Sequence, residues 1–89
     1  MHFDQRDEGD FTIYAQAIET AEGGYTAAAV VMQVRGLGEA AEVLRDLNMS
    51  GGYAWDDPDR ALHFAIHVAT EVLRERKQLS AAAMLLKAA

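Results

Sequence analysis

Two histidines, His63 and His67, stand four residues apart, and Asp59 and Glu71 continue the row at the same interval. Residues four apart lie on one face of an α-helix, and imidazole with carboxylate is a ligand set for zinc or nickel. This spacing makes His63 and His67 candidate metal ligands. The HExxH pattern of a metalloprotease is absent, because residues 64–66 between them are Phe-Ala-Ile. We expect a solvated histidine pair, without a resident metal or cofactor.

A second candidate is the stretch SGGYAWDDPD, residues 50–59. Tyr53 and Trp55 are two residues apart, so in an extended segment both rings project to the same side. Two interpretations stand open: the rings close one end of a core, or they form a hot spot for a partner, where Tyr and Trp are enriched. The acids that follow need no ligand, because Asp57 suits a helix N-cap and Pro58 suits the first helical position.

The sequence carries no signature of catalysis. It has no cysteine, which excludes a thiol nucleophile, thiolate metal ligands and disulfides. No serine lies in a Gly-x-Ser-x-Gly turn, and the glycines of RGLGE, residues 35–39, lack the spacing of a phosphate loop. We therefore expect a protein that is not an enzyme. A small-molecule or metal-binding enzyme subunit is the alternative.

The net charge is −6, and the eight basic residues are scattered, with only Arg74, Arg76 and Lys77 grouped. Binding to a phosphate backbone needs clustered lysine and arginine, so we expect no nucleic-acid partner. The longest apolar run is far shorter than the roughly 20 residues of a membrane-spanning helix, so we expect no membrane partner. Small secreted domains usually depend on disulfides, and the lack of cysteine therefore favours a cytoplasmic location.

The hydrophobic pattern predicts one α+β domain at residues 10–89, after a loose polar arm at residues 1–9. Two strand-like runs flank Gly23-Gly24, which predicts a β-hairpin with a two-residue turn. That turn sets a register in which six apolar residues share one face: Ala17 opposite Val30, Ala15 opposite Met32, and Ile13 opposite Val34. The other face is partly apolar, with Tyr14, Ile18 and Val31.

A long helix is predicted from Pro58 to about Lys77, and residues 80–89 either prolong it or form a second short helix. Its core stripe has helical spacing and comprises Leu62, Ala65, Ile66, Ala69, Val72 and Leu73. Residues 37–49 are ambiguous. Their apolar residues recur at helical spacing, at Leu37, Ala40, Leu44 and Leu47, which alone favours a short helix.

Residues 42–75 resemble the second half of a group of small bacterial proteins, mostly β-proteobacterial, that consist of a domain of unknown function. In these proteins a hairpin and a third strand lead into a glycine-aromatic-x-aromatic turn and a Pro-x-x-Ala-Leu helix start. The matching residues are Gly52, Tyr53, Trp55, Pro58, Ala61 and Leu62. The resemblance implies a β-β-β-α order with Glu42–Met49 as the third strand, and it implies no activity.

A second resemblance is to the HicB-type antitoxins, which carry a hairpin similar to EGGYTA, residues 22–27, and a helix that begins with an acid-x-Ala-Leu pattern. The Pro-Gly strand end of those antitoxins is absent here. We expect an α+β fold: a three-stranded antiparallel meander, made of the hairpin and an edge strand, with one long C-terminal helix packed on one face.

The expected function is self-association as a cytoplasmic protein–protein interaction module. Phe64, Val68 and Ala61 fall outside the core stripe of the helix and predict an exposed apolar patch. The hairpin face with Tyr14, Ile18 and Val31 predicts a second one. We therefore expect a homodimer centred on Phe64 or on the hairpin face. An antitoxin-like or immunity-like acidic protein that masks an unidentified basic partner is the other alternative.

Overall fold

The computed structural model describes residues 2–35 and 38–88, and for Arg35 and residues 77–88 only the backbone. In this part of the chain, four strands precede one helix: β1 (His2–Glu8), β2 (Phe11–Glu19), β3 (Tyr25–Arg35), β4 (Glu39–Asp46) and α1 (Pro58–Ala88). The strands form one antiparallel sheet in chain order, and α1 lies across β1, β2 and β3 on one face. The α+β class is confirmed, but the prediction of three strands was wrong.

The extra strand is β1, in the residues that were predicted to be a loose arm. It pairs with β2 along its whole length, from His2 opposite Ala17 to Glu8 opposite Phe11. The two residues between the strands are Gly9 and Asp10, and Gly9 has a φ of 62°. A glycine with positive φ at the first position of a two-residue loop is typical of a β-hairpin turn. The turn is tied to β3, because the amide of Val34 donates to the carbonyl of Asp10 at 3.0 Å.

The β2–β3 hairpin is present, but its predicted register was wrong. Its loop is Ala21-Glu22-Gly23, since the amide of Thr20 donates to the carbonyl of Gly24 at 2.8 Å. Only Gly23 of the two glycines has positive φ, at 95°, as in a type I turn followed by a left-handed residue. The observed partners are Ala17 with Ala27, Ala15 with Ala29 and Ile13 with Val31. Every residue of β3 therefore lies on the face opposite to the predicted one, and Val31 is in the core.

Residues 39–46 form β4, so the third strand that the resemblance implied exists, three residues earlier than Glu42–Met49. The helical interpretation of this segment was wrong; Leu37 lies outside the described residues. The partner of β3 changes from Leu44 at Val31 to Glu42 at Met32, which leaves Val43 as the extra residue of a β-bulge. A bulged strand with charges suits the edge of a sheet.

The start of α1 is as predicted. The amide of Asp59 donates to Oδ1 of Asp57 at 2.9 Å, which makes Asp57 the N-cap and Pro58 the first helical residue. The helix continues without a break to Ala88, which confirms the alternative in which the C-terminal residues prolong it. The alternative of a separate C-terminal helix was wrong.

The core lies between α1 and the middle of the sheet and is rich in alanine. The helix contributes Ala61, Ala65 and Ala69 at intervals of four, and the facing strands contribute two alanine pairs. Small side chains on both surfaces allow the helix to lie close to the sheet. The larger core residues are Ile13, Val31, Leu62, Ile66 and Leu73. The predicted core stripe of α1 is buried, except that Val72 is half-buried. Ala61 and Thr70, which were not part of the predicted stripe, are buried as well.

Candidate functional site

Between α1 and β1 lies a polar groove of about 410 Å³. It is polar because every second residue of β1 shares the face of Ile13, Ala15 and Ala17, which the helix covers. In β1 those residues are charged or polar rather than apolar. The groove is lined by Asp4 and Arg6 of β1 and, among others, by His63, His67, Glu71 and Arg74 of α1.

The structure brings His63 and His67 together on the helix beside this groove, and both side chains are exposed. Across residues 2–35 and 38–76, no three His, Asp or Glu side chains are arranged to hold a metal ion. Asp59 and Glu71 continue the row along the helix without completing a ligand set. The arrangement amounts to two exposed imidazoles at the edge of a polar groove.

Three rings form an aromatic cluster at the start of α1: Tyr53, Trp55 and Phe64. The ring centroids lie 4.8 Å apart between Tyr53 and Trp55 and 4.9 Å apart between Trp55 and Phe64. Trp55 is held to the sheet because it exchanges two backbone hydrogen bonds of 2.8 Å with Tyr25. Trp55 is half-buried against the core, whereas Tyr53 is 62% exposed. The two rings therefore differ in role: Trp55 closes the core, and Tyr53 projects into solvent.

The predicted apolar patch on the back of α1 does not exist in the form expected. Ala61 is fully buried in the core, and Phe64 and Val68 are half-buried. Phe64 packs against the core and against Trp55. The segment between β4 and α1 runs beside the first residues of β3, where the amide of Met49 donates to the carbonyl of Ala27 at 3.0 Å. That segment places Trp55 over the side of the helix that the sheet leaves open.

The surface of the sheet opposite the helix carries exposed apolar side chains. We call it the outer sheet face, and its large apolar residues, assigned by strand register, are Phe3, Tyr14, Ile18, Val30, Met32 and Val34. Three of them are strongly exposed: Phe3 at 64%, Val34 at 53% and Tyr14 at 42%. Among the described residues, no helix or further strand lies across this surface. It is an apolar surface left open by the helix and the strands of residues 2–35 and 38–88.

Sequence reasoning placed Tyr14 and Ile18 on this surface and missed the others. Val31 was assigned to it through the wrong register, and the true neighbours Val30 and Met32 were assigned to the core. Phe3 was missed because β1 was taken for an arm. One local signal could have identified β1: the Gly9-Asp10 dipeptide directly before an alternating run, which is typical of a two-residue hairpin loop.

Within residues 2–35 and 38–88, no helix combines the length and apolar character that crossing a membrane requires. Comparisons of the chain with protein-family models, with curated proteins and with solved structures each found no match. They neither support nor oppose the two resemblances, which stay predictions.

Proposed function

We propose that this chain is a cytoplasmic, self-associating protein–protein interaction module that pairs the outer sheet faces of two copies and acts by binding rather than by catalysis. The observation that carries the proposal is the exposure of large apolar side chains on a sheet surface that α1 does not cover. Single exposed apolar residues are ordinary on soluble proteins, but a contiguous group of them is typical of an interface.

The proposed occupant is a second copy because one surface serves both partners in a two-fold contact. Tyr14 lies near the middle of the outer sheet face, between Gln5 of β1 and Val30 of β3. The face has no concentrated charge of one sign that would repel its own copy. The polar residues Gln5, Thr12 and Gln16 neighbour Tyr14 on this face, so uncharged side chains that can hydrogen-bond across the contact lie among the apolar ones.

The test is the mass of the particle in solution. We expect the wild-type chain at tens of micromolar to sediment as a species larger than the 9.7 kDa monomer. Tyr14→Asp places a charge at the centre of the interface, and the two-fold axis repeats that charge on the second copy. We expect it to weaken this association at least about a hundredfold, since a central interface residue often accounts for a tenfold change or more by itself. Tyr53→Asp is the matched control, because Tyr53 is also an exposed tyrosine but lies off the sheet.

Circular dichroism of each variant checks that the fold is retained. Val34→Asp is a second variant, near the end of the same face, that keeps the test open if Tyr14→Asp does not fold. A wild-type chain that sediments at 9.7 kDa, or two folded outer-face variants with unchanged mass, would overturn the proposal.

A further inference from the structure

The free edge of β1 is a second surface that the fold leaves unpaired. β1 is the first strand of the sheet and pairs only with β2 among the described residues. The two-residue turn makes Glu8 and Phe11 a hydrogen-bonded pair, and such pairs alternate with non-bonded ones along an antiparallel ladder. Phe3, Gln5 and Asp7 therefore direct their backbone amides and carbonyls away from β2. The amide of Gln5 donates instead to Oδ1 of Asp4 at 2.8 Å.

The charges of β1 are arranged so that the strand complements itself. On the helix side, it carries His2, Asp4, Arg6 and Glu8 in that order. When a second copy of β1 is laid antiparallel with the two-fold axis at Gln5, Asp4 stands opposite Arg6 of the second copy. The same register places His2 opposite Glu8 of the second copy. Opposite charges that face each other across two strands stabilise the pairing.

The neighbouring registers of the two β1 strands set like charges opposite each other. Moving the axis to Asp4 sets the two copies of Asp4 against each other, and moving it to Arg6 sets the two copies of Arg6 against each other. An axis placed midway between two residues of β1 would set a residue of the helix side in one copy opposite a residue of the outer side in the other. Among the matched-face registers that pair at least five residues of β1, the axis at Gln5 alone therefore sets opposite charges against each other.

We propose that β1 is a homotypic docking edge, which joins two copies antiparallel about Gln5 into a continuous eight-stranded sheet. Phe3, Gln5 and Asp7 of each copy exchange backbone hydrogen bonds with the other. The side chain of Asp4 leaves the Gln5 amide and pairs with Arg6 of the second copy. The freed Gln5 amide donates to a backbone carbonyl of the second copy. His2 contributes less, because its ring leans inward to Tyr25, with the centroids 5.5 Å apart.

The helices leave room for this arrangement. Both copies of α1 would lie on the same side of the joined sheet, and α1 rests mainly on β2 and β3. With strands about 4.8 Å apart, two helices above β2 are separated by about 14 Å, which exceeds the roughly 10 Å diameter of a helix. The polar grooves of the two copies then meet above the joined strands, so the charges of β1 stay hydrated.

Charged residues on an edge strand commonly prevent pairing with other chains. In β1 the charges oppose the two neighbouring registers, centred on Asp4 and on Arg6, and favour the one centred on Gln5, so they select a second copy of this chain over an unrelated strand. The inference does not rest on the outer sheet face, because the edge and that face are different surfaces with different variants.

The decisive experiment is a charge swap. We expect Asp4→Arg alone and Arg6→Asp alone each to weaken edge association about tenfold or more, because two symmetric pairs become like-charged. The double variant, Asp4→Arg with Arg6→Asp, restores opposite charges in the same register, so its affinity should return to within about threefold of the wild type. Glu22→Arg, in the exposed β2–β3 loop, controls for net charge. A double variant as weak as the single ones would overturn the proposal.

Cross-linking reports the register directly, since the chain has no cysteine of its own. Gln5→Cys should give a disulfide-linked dimer under mild oxidation, because the axis brings the two copies of residue 5 opposite each other. Asp7→Cys is the control: its own copy lies four residues along the strand, about 13 Å away and beyond the roughly 7 Å span of a disulfide. Failure of Gln5→Cys to cross-link a folded protein, or equal linking of both variants, would contradict the register.

Discussion

At Gly24, two segments distant in sequence come into direct contact. A Cβ built on Gly24 would lie 2.8 Å from Cβ of Ala54 and 3.4 Å from the carbonyl oxygen of Trp55. The cause is the bridge between Tyr25 and Trp55, which draws residue 54 against the start of β3. Gly24 is thus required for close approach, whereas Gly23, with a φ of 95° and open space around it, is required for its backbone conformation.

We expect Gly24→Ala to lower the free energy of unfolding by about 1–3 kcal/mol, the usual cost of forcing an extra methyl group into a filled space. Urea denaturation followed by circular dichroism measures it. Adding Ala54→Gly removes the nearest atom, so Gly24→Ala should cost much less in that background than in the wild type. Glu22→Ala, in the exposed loop nearby, should change little. An equal cost of Gly24→Ala in both backgrounds would show that Ala54 is not the obstacle.

Single residues whose role depends on their neighbours in sequence could be predicted. Asp57 and Pro58 were assigned to the helix start from local chemistry alone, and the hydrogen bond from the Asp59 amide confirms the cap. The role of Gly24 could not be predicted, because it depends on a segment about thirty residues further along the chain. The sequence pattern predicted a turn that contains both glycines. It did not show that Gly23 is needed for its positive φ and Gly24 for the close approach of Ala54.

At the scale of elements, the error in the β2–β3 register came from the predicted position of one hairpin loop. A loop at Gly23-Gly24 pairs Ala17 with Val30, whereas the observed loop at residues 21–23 pairs it with Ala27, and this odd shift exchanges the two faces of β3. The alternation of β2 identified its buried residues correctly, at Ile13, Ala15 and Ala17. β3 carries alanine or valine at every position from 27 to 31, so its own pattern could not choose a face.

The start of α1 is anchored by the aromatic cluster, and Phe64 is its connection to the helix. We expect Phe64→Ala to lower the free energy of unfolding by about 2 kcal/mol, less than a fully buried phenylalanine because the ring is half-buried. Trp55 is the chain's only tryptophan, so its emission should shift to longer wavelength when the loss of the Phe64 ring uncovers it. His67→Ala, an exposed position on the same helix, should alter neither quantity. Unchanged stability in Phe64→Ala would contradict the role of Phe64 as the connection between the aromatic cluster and the helix.

The fold class of the whole molecule could be predicted because each layer has its own pattern: alternation in β2, a helical stripe in α1, and glycines between the strands. The fourth strand could not, because β1 has no apolar periodicity; its pairing is determined by a turn and by the neighbouring strand. That error concealed one of the two edges of the sheet. It also concealed the charge order of residues 2–8, which has meaning only once the segment is known to be extended.

The two proposed contacts have axes at right angles, which determines the assembly they can build together. The edge axis is perpendicular to the sheet, and an axis that pairs outer sheet faces lies parallel to it. Two perpendicular two-fold axes that intersect close into a tetramer with D2 symmetry. Gln5 pairs with Tyr14, so a face axis that runs across the strands through Tyr14 meets the edge axis at Gln5, and no open fibre forms. We therefore expect the wild-type chain at tens of micromolar to approach four times 9.7 kDa in sedimentation velocity.

The variants separate the two contacts within that assembly. Tyr14→Asp should leave a dimer joined at β1, Arg6→Asp should leave a dimer joined at the outer sheet faces, and the two changes combined should leave a 9.7 kDa monomer. Added salt screens the charge pairs of the edge but not the apolar contact, so high salt should act on the wild type as Arg6→Asp does. If the wild type is a dimer and Tyr14→Asp alone dissociates it into monomers, the face contact exists and the edge contact does not. If the wild type is a dimer and only the charge variants of β1 dissociate it, the edge contact exists and the face contact does not.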